Sequence, residues 1–300
     1  MDTEGQGQAH RLMILGAGAT GSRIAALAVE HGVPVVLVDP DDGALERARA
    51  LVLGSAAIGS AALDSAVLGS AAPHELVAAR FVATTSVHVG GEVTAVVEAV
   101  TERAVVKAKA LSGACAVVSP GTPLISATAT IPIDELADWA GRPQDVMGAN
   151  FGLAHRDDGL VELVLGKRTG DVAAETALGL LRALGRTVVA IGDAPGFVTG
   201  RLLYPLINTA ARIVAEGVAS VERVDAVMCH RLAQKIGPLR IADLIGLDAL
   251  VDSLVAMHER TGDESCRPCP LLLEKVLAGE LGQKTGHGFY RDYDTGAVRP

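Results

Sequence analysis

Aromatic side chains are nearly missing from this chain: one Trp, three Tyr and four Phe make up 3% of its 300 residues. Its cores must therefore be filled by Ala, Val, Leu and Gly, which suits helices lying close on a sheet. Basic charge is also short, with 26 Lys and Arg against 35 Asp and Glu, a net charge of -9 and a pI near 5.4. That balance argues against nucleic acid or an anionic membrane as the main partner. Mean hydropathy is +0.35, yet every apolar stretch is broken by Gly, Pro or a charge before the ~20 residues of a spanning helix. Met1 to Arg11 is polar and holds no secretory apolar segment. Four cysteines are too few for a disulfide framework, so a reducing cytoplasm is the expected setting. Cys266-Arg267-Pro268-Cys269 is a lone CxxC, and Cys229 and His230, being adjacent, are poorly spaced to complete a zinc site. No metal is expected.

What is present is an alternation of short apolar runs with helical stretches, the pattern of an α/β doubly wound sheet. Strands are expected at Leu12–Leu15, Val33–Val38, Phe81–Thr84, Ala95–Val97, Ala116–Ser119, Val146–Asn150, Val161–Leu165 and Thr187–Ile191. Helices are expected from Thr20 to His31, ended by Gly32, and from about Asp41 onward. Leu53-Gly54-Ser55-Ala56-Ala57 recurs as Leu68-Gly69-Ser70-Ala71-Ala72, read as compositional drift. From Pro195 the pattern turns to 3.6-residue periodicity, over Val198–Glu216, Val221–Leu232, an apolar segment near Ile241–Met257, and Leu271–Ala278. Gly237-Pro238 reads as a helix-ending turn. The expected division is a Rossmann-type domain over 1–193 and an all-helical domain over 194–300.

The first βαβ unit carries Gly16-Ala17-Gly18-Ala19-Thr20-Gly21 between a strand and a helix, with Asp39 at the end of the next strand. The first glycine permits the tight turn, the second lets a pyrophosphate approach the backbone, and the third allows helix to pack on strand. The N–H groups of Ala19 and Thr20 then open a helix whose positive end faces the phosphates. Asp39 can accept from ribose hydroxyls and would repel a 2′-phosphate. Pro40, Asp41 and Asp42 follow it with no arginine, so NAD is favoured over NADP.

The order of motifs further along resembles the 3-hydroxyacyl-CoA dehydrogenase family (3-hydroxybutyryl-CoA dehydrogenases among them) over nearly the whole chain. Val97-Glu98-Ala99-Val100-Thr101-Glu102, with Lys107 five residues on, is similar to the family's segment beside the nicotinamide. Gly148–Phe151 and Leu160–Val164 stand at the spacing of its catalytic segment. Asp193-Ala194-Pro195-Gly196-Phe197-Val198 resembles its entry into the helical domain; Arg201-Leu202-Leu203, Glu216–Ser220, Ala242–Asp248 and Lys284–Tyr290 follow in the same order. The resemblance implies hydride transfer from a 3-hydroxyacyl thioester to NAD, a homodimer joined through the helical domain, and Ala99, Glu102 and Lys107 beside the cofactor.

The chain departs from the family where the proton moves. Asn150 stands at the family's His, Gly200 at its Asn, and Thr122, in Ser119-Pro120-Gly121-Thr122, is matched to its Ser; Glu162 is retained. An amide has no titratable proton near neutral pH, and a positioned base contributes roughly 10²–10⁴ in rate. Three readings follow: a dehydrogenase in which Glu162 or the loop residue His155 moves the proton, with Asn150 and Thr122 holding the oxygen; an NAD-binding structural or regulatory dimer; or a different NAD chemistry. Arg201 either contacts substrate or bridges the domains. The stretch 50–79 contains no Lys or Arg, which weakens CoA as the carrier and leaves an acyl carrier protein or a short free hydroxy acid open. Only six of the basic residues are Lys, and this Ala- and Arg-rich composition resembles that of high-GC bacteria, where relatives act on carrier-bound three-carbon units in polyketide extender-unit synthesis.

Overall fold

The computed structural model describes residues 10–60, 79–89, 91–152, 159–291 and 293. They form two compact units that divide between Asp193 and Ala194, with Gly152 grouped with the second. The repeat's second copy, Leu68–Ala72, lies outside the described residues.

In the first unit, β1 (Leu12–Leu15) is followed by α1 (Ala19–Glu30), β2 (Val35–Val38), α2 (Asp42–Ser60), β3 (Phe81–Thr84), β4 (Ala95–Glu98) and α3 (Ala104–Cys115). Then come β5 (Leu124–Ser126), α4 (Ile133–Ala140), β6 (Val146–Asn150), β7 (Leu160–Leu165), α5 (Asp171–Ala183) and β8 (Thr187–Gly192). The eight strands form one sheet in the order β3-β2-β1-β4-β5-β6-β7-β8. The first six are parallel; β7 pairs antiparallel with β6 and parallel with β8. The central strands are buried on both faces, which is why their sequences read as continuous apolar runs rather than alternations. α1 stops where Gly32, at φ +79°, takes the left-handed turn and Val33 N–H returns to the Ala28 carbonyl at 2.8 Å. Asp41 caps α2, accepting from Gly43 N–H at 2.8 Å.

One expected strand is absent. Ala116–Ser119 is instead the turn that closes α3, with Val117 and Val118 N–H both returning to the Ala114 carbonyl. The strand comes five residues later, as Leu124-Ile125-Ser126, because Pro120 and Gly121 (φ +87°) interrupt the apolar run.

The second unit holds α6 (Phe197–Ala215), α7 (Val221–Leu232), α8 (Pro238–Ile245), α9 (Leu247–Thr261) and α10 (Pro270–Leu277). Ile207, Leu239, Leu247, Leu250, Leu254 and Leu272 are fully buried at its centre. Gly237-Pro238 opens α8 rather than ending a helix: Pro238 is its first residue, where a missing N–H leaves no bond unmade. The cap comes from a different helix. Asp225 of α7 accepts from Leu239 and Arg240 N–H at 2.8 and 2.9 Å, and from the Tyr290 hydroxyl at 2.8 Å. A Cβ at position 237 would overlap the Asp225 carboxylate, so the approach needs glycine. Cys266 and Cys269 are buried core residues whose connecting loop is fastened by Asn208, which donates to the Ser265 and Arg267 carbonyls and accepts from Cys269 N–H.

Asp225→Ala removes a buried acceptor from three donors and should destabilise the protein by about 2–4 kcal/mol. Urea unfolding of the variant against the parent checks this, and a change below about 0.5 kcal/mol would contradict the cap.

Candidate active site

The three glycines of the first turn occupy different environments. Gly16 has φ +104°, and a Cβ there would lie 2.7 Å from the Ala99 carbonyl oxygen. A Cβ on Gly21 would overlap the Gly16 carbonyl oxygen, so only glycine lets α1 start this close to the end of β1. A Cβ on Gly18 would meet nothing within 4 Å. Gly18 caps α1 without a side-chain acceptor, and no acidic residue stands in the first turn, where Ala19 and Thr20 lie. This is a bare, positively polarised helix start of the kind that receives phosphate. Asp39 follows β2 and accepts from Ala17 N–H at 2.7 Å and Asp41 N–H at 2.9 Å. A pyrophosphate beside Gly18 and a ribose beside Asp39 fit these groups, so the residues present suit a dinucleotide.

Asn150 ends β6, and the antiparallel register sets it opposite Glu162 of β7. Its Nδ2 donates to Glu162 Oε2 at 2.7 Å, and Glu162 is only 4% exposed. The reversed direction of β7 brings this carboxylate to the edge at which the parallel strands end, the edge that carries the glycine turn and Asp39. The two candidates are thus joined as one amide–carboxylate pair.

Thr122 is not part of that group. It precedes β5, whose Leu124 pairs with Val146, four residues before Asn150. At ~3.3 Å per residue it lies roughly 20 Å from Asn150 along the strands, at the opposite edge. It is also 7% exposed. The run that leaves β5 at the edge carrying Asn150 is Ser126-Ala127-Thr128-Ala129-Thr130, whereas Ser119–Thr122 precedes the strand. His155 lies outside the described residues.

Lys107, expected beside the cofactor, stands in a buried ion cluster. Its side chain is 1% exposed, and its ammonium donates to both oxygens of Glu98, at 2.9 and 3.0 Å, and sits 3.2 Å from Glu102. Glu102, with a side chain 36% exposed, accepts at Oε1 from the Thr128 and Thr130 hydroxyls and from Ala129 and Thr130 N–H, at 2.6–3.0 Å. Burial alone would raise its carboxyl pKa, but the Lys107 ammonium and the Thr128 and Thr130 donors outweigh it, and the group titrates below the ordinary glutamate range. Ala99 lies against Gly16, and its N–H donates to the Leu15 carbonyl at 2.8 Å.

Sequence reasoning missed Glu98, Ser126, Thr128 and Thr130. Glu98 did carry a signal, since a carboxylate ending an otherwise apolar central strand must find partners. Arg201, on α6, lies close enough to Asp263 of the same unit to help the nearer Ser265 donors lower that carboxyl. Among the described residues, no cluster of three or more His, Cys, Asp or Glu could hold a metal, and no helix is long and apolar enough to cross a membrane.

Residues 11–194 match the profile of the 3-hydroxyacyl-CoA dehydrogenase NAD-binding domain, and residues 196–292 that of the same family's C-terminal domain. A probable 3-hydroxybutyryl-CoA dehydrogenase of Deinococcus radiodurans is 35% identical over 278 residues, covering 93% of this chain and 98% of its own. The 3-hydroxybutyryl-CoA dehydrogenase of Bradyrhizobium diazoefficiens is 35% identical over 280 residues, covering 93% and 94%. Among crystal structures, (S)-3-hydroxybutyryl-CoA dehydrogenase PaaH1 from Ralstonia eutropha has a TM-score of 0.84 at 32% identity, covering 96% of this chain and 100% of its own. M. tuberculosis FadB2 has a TM-score of 0.86 at 33% identity, covering 94% and 98%. With both domain profiles matched in order across nearly its whole length, the chain belongs to the 3-hydroxyacyl-CoA dehydrogenase family of NAD-dependent oxidoreductases.

Proposed function

We propose that this protein oxidises the hydroxyl of a short 3-hydroxyacyl thioester to the 3-oxo form, at a site where an amide replaces the imidazole implied by the family resemblance. The observation that carries the proposal is the 2.7 Å Asn150–Glu162 hydrogen bond, at the sheet edge that also carries the glycine turn. Bound along Gly16–Gly21 and Asp39, NAD supplies the hydride acceptor.

Glu162 fixes the plane of the Asn150 amide by accepting one of its N–H groups. A held amide is a neutral donor that can orient the substrate oxygen and stabilise negative charge developing on it. It cannot take the hydroxyl proton. We assign that role to the Glu162 carboxylate, the titratable group bonded to Asn150. The relatives' names favour CoA as the acyl carrier over a carrier protein or a free hydroxy acid. A homodimer through the helical unit rests on the family resemblance, and Val218, Val227, Leu232 and Leu277 are exposed apolar side chains on that unit.

Glu162→Gln should lower kcat by roughly 10²–10⁴, and an unchanged turnover would contradict the assignment. Asn150→His should add an ionisation near the ordinary imidazole value of about 6.5 to the pH profile of kcat/KM, with the parent showing no bend of imidazole origin. At the cofactor end, fluorescence titration should show NADH binding at least about tenfold more tightly than NADPH, a preference lost in Asp39→Ala. Equal affinities in the parent would refute the role given to Asp39.

A further inference from the structure

Three strand ends lie side by side in one row across the sheet: Leu15 of β1 pairs with Glu98 of β4, and Glu98 with Ser126 of β5. From this row spring the glycine turn, the Ala99–Glu102 loop and the Ala127–Thr130 loop. Its central member is an acid with no exposure to solvent. Glu98 Oε1 accepts from Val100 N–H at 2.8 Å and Lys107 Nζ at 2.9 Å; Oε2 accepts from Ser126 Oγ at 2.6 Å and again from Lys107 at 3.0 Å. Those bonds use the acceptor capacity of a carboxylate in full. Lys107 passes the connection to Glu102, which gathers Thr128, Ala129 and Thr130. One buried anion therefore ties the loop after β4 to the loop after β5 twice, directly through Ser126 and indirectly through Lys107 and Glu102.

A buried ion pair is weak evidence for stability, since desolvating both charges offsets much of their attraction. Position is the more informative property. In a doubly wound sheet of this strand order a dinucleotide lies across the β1/β4 switch point, its adenosine half towards β2 and its other half over β4 and β5. Every group fastened by Glu98 lies on the second side.

We propose that Glu98 is a positioning residue for the nicotinamide half of the site: through Ser126, Lys107 and Glu102 it sets the two loops against which that half of the cofactor rests, without touching the cofactor. The inference depends on the NAD reading given above. It separates Glu98 from Asp39, which acts on the adenosine half, and from Asn150 and Glu162, which act on substrate.

The test compares NADH with ADP-ribose, which carries the adenosine half but no nicotinamide. Glu98→Gln keeps size and removes the charge; Ser126→Ala cuts only the direct tie to β5 and guards against loss of fold in the first variant. In each folded variant the Kd for NADH should rise about tenfold or more, while that for ADP-ribose stays within about twofold. Glu98→Asp, one methylene shorter, should recover part of the loss. NADH affinity unchanged in Ser126→Ala, or NADH and ADP-ribose weakened equally, would overturn the proposal. A parent protein that binds neither ligand would sink the cofactor reading itself, an outcome distinct from either of these.

Discussion

A helix can begin directly against the end of a strand only where no Cβ stands between them, and in this protein that condition is met at Gly21 over the Gly16 carbonyl. The consequence extends beyond packing. The approach aims the uncapped start of α1 across the Gly18 backbone, turning unpaired N–H groups and the helix dipole into an anion site. It also presses Gly16 onto the Ala99 carbonyl, so that the first turn and the loop after β4 are set by one contact. A side chain at either glycine would push α1 off the sheet and move the proposed phosphate site away from the neighbouring strand ends.

Behind that contact the sheet edge is held by charge rather than by apolar packing. Two carboxylates and one ammonium share a buried cluster, and only Glu102 of the three is partly exposed. Its depressed pKa has a definite sign in stability: the contribution is present above the ordinary glutamate range and is lost as pH falls through the lowered folded value. Acid should therefore loosen this edge of the sheet as Glu102 takes up a proton. Farther along the same edge, the Asn150–Glu162 pair is a smaller version of the same arrangement, a polar side chain held in place by a buried acid.

Much of this was legible in the sequence, for identifiable reasons. Parallel central strands are buried on both faces, so Leu12–Leu15 and Ala95–Val97 stand out as uninterrupted apolar runs. The glycine roles could be read because each answers a separate steric demand. β5 is hard to read because three residues make no pattern, whereas Ala116–Ser119 offers a longer apolar run. Thr122, matched to the family's Ser through the Ser119–Thr122 run, lies at the opposite edge. The reversal of β7 left no trace, since a buried strand has the same composition in either direction. Asp225 capping a helix that begins thirteen residues further on, and Glu98 joining two loops, are tertiary contacts with no local spacing to reveal them. Gly237-Pro238 was ambiguous for a simpler reason: proline both follows helices and opens them, and only the partner of the next N–H groups decides.

The central claim is that a dehydrogenase of this family works with an amide in place of an imidazole. The most direct measurement follows NADH formation from NAD with 3-hydroxybutyrate presented in turn as its CoA thioester, as a carrier-protein thioester and as the free acid. The account predicts NADH formation that requires a thioester and is fastest with CoA. No NADH from any of the three, in a protein that still binds NADH, would contradict it.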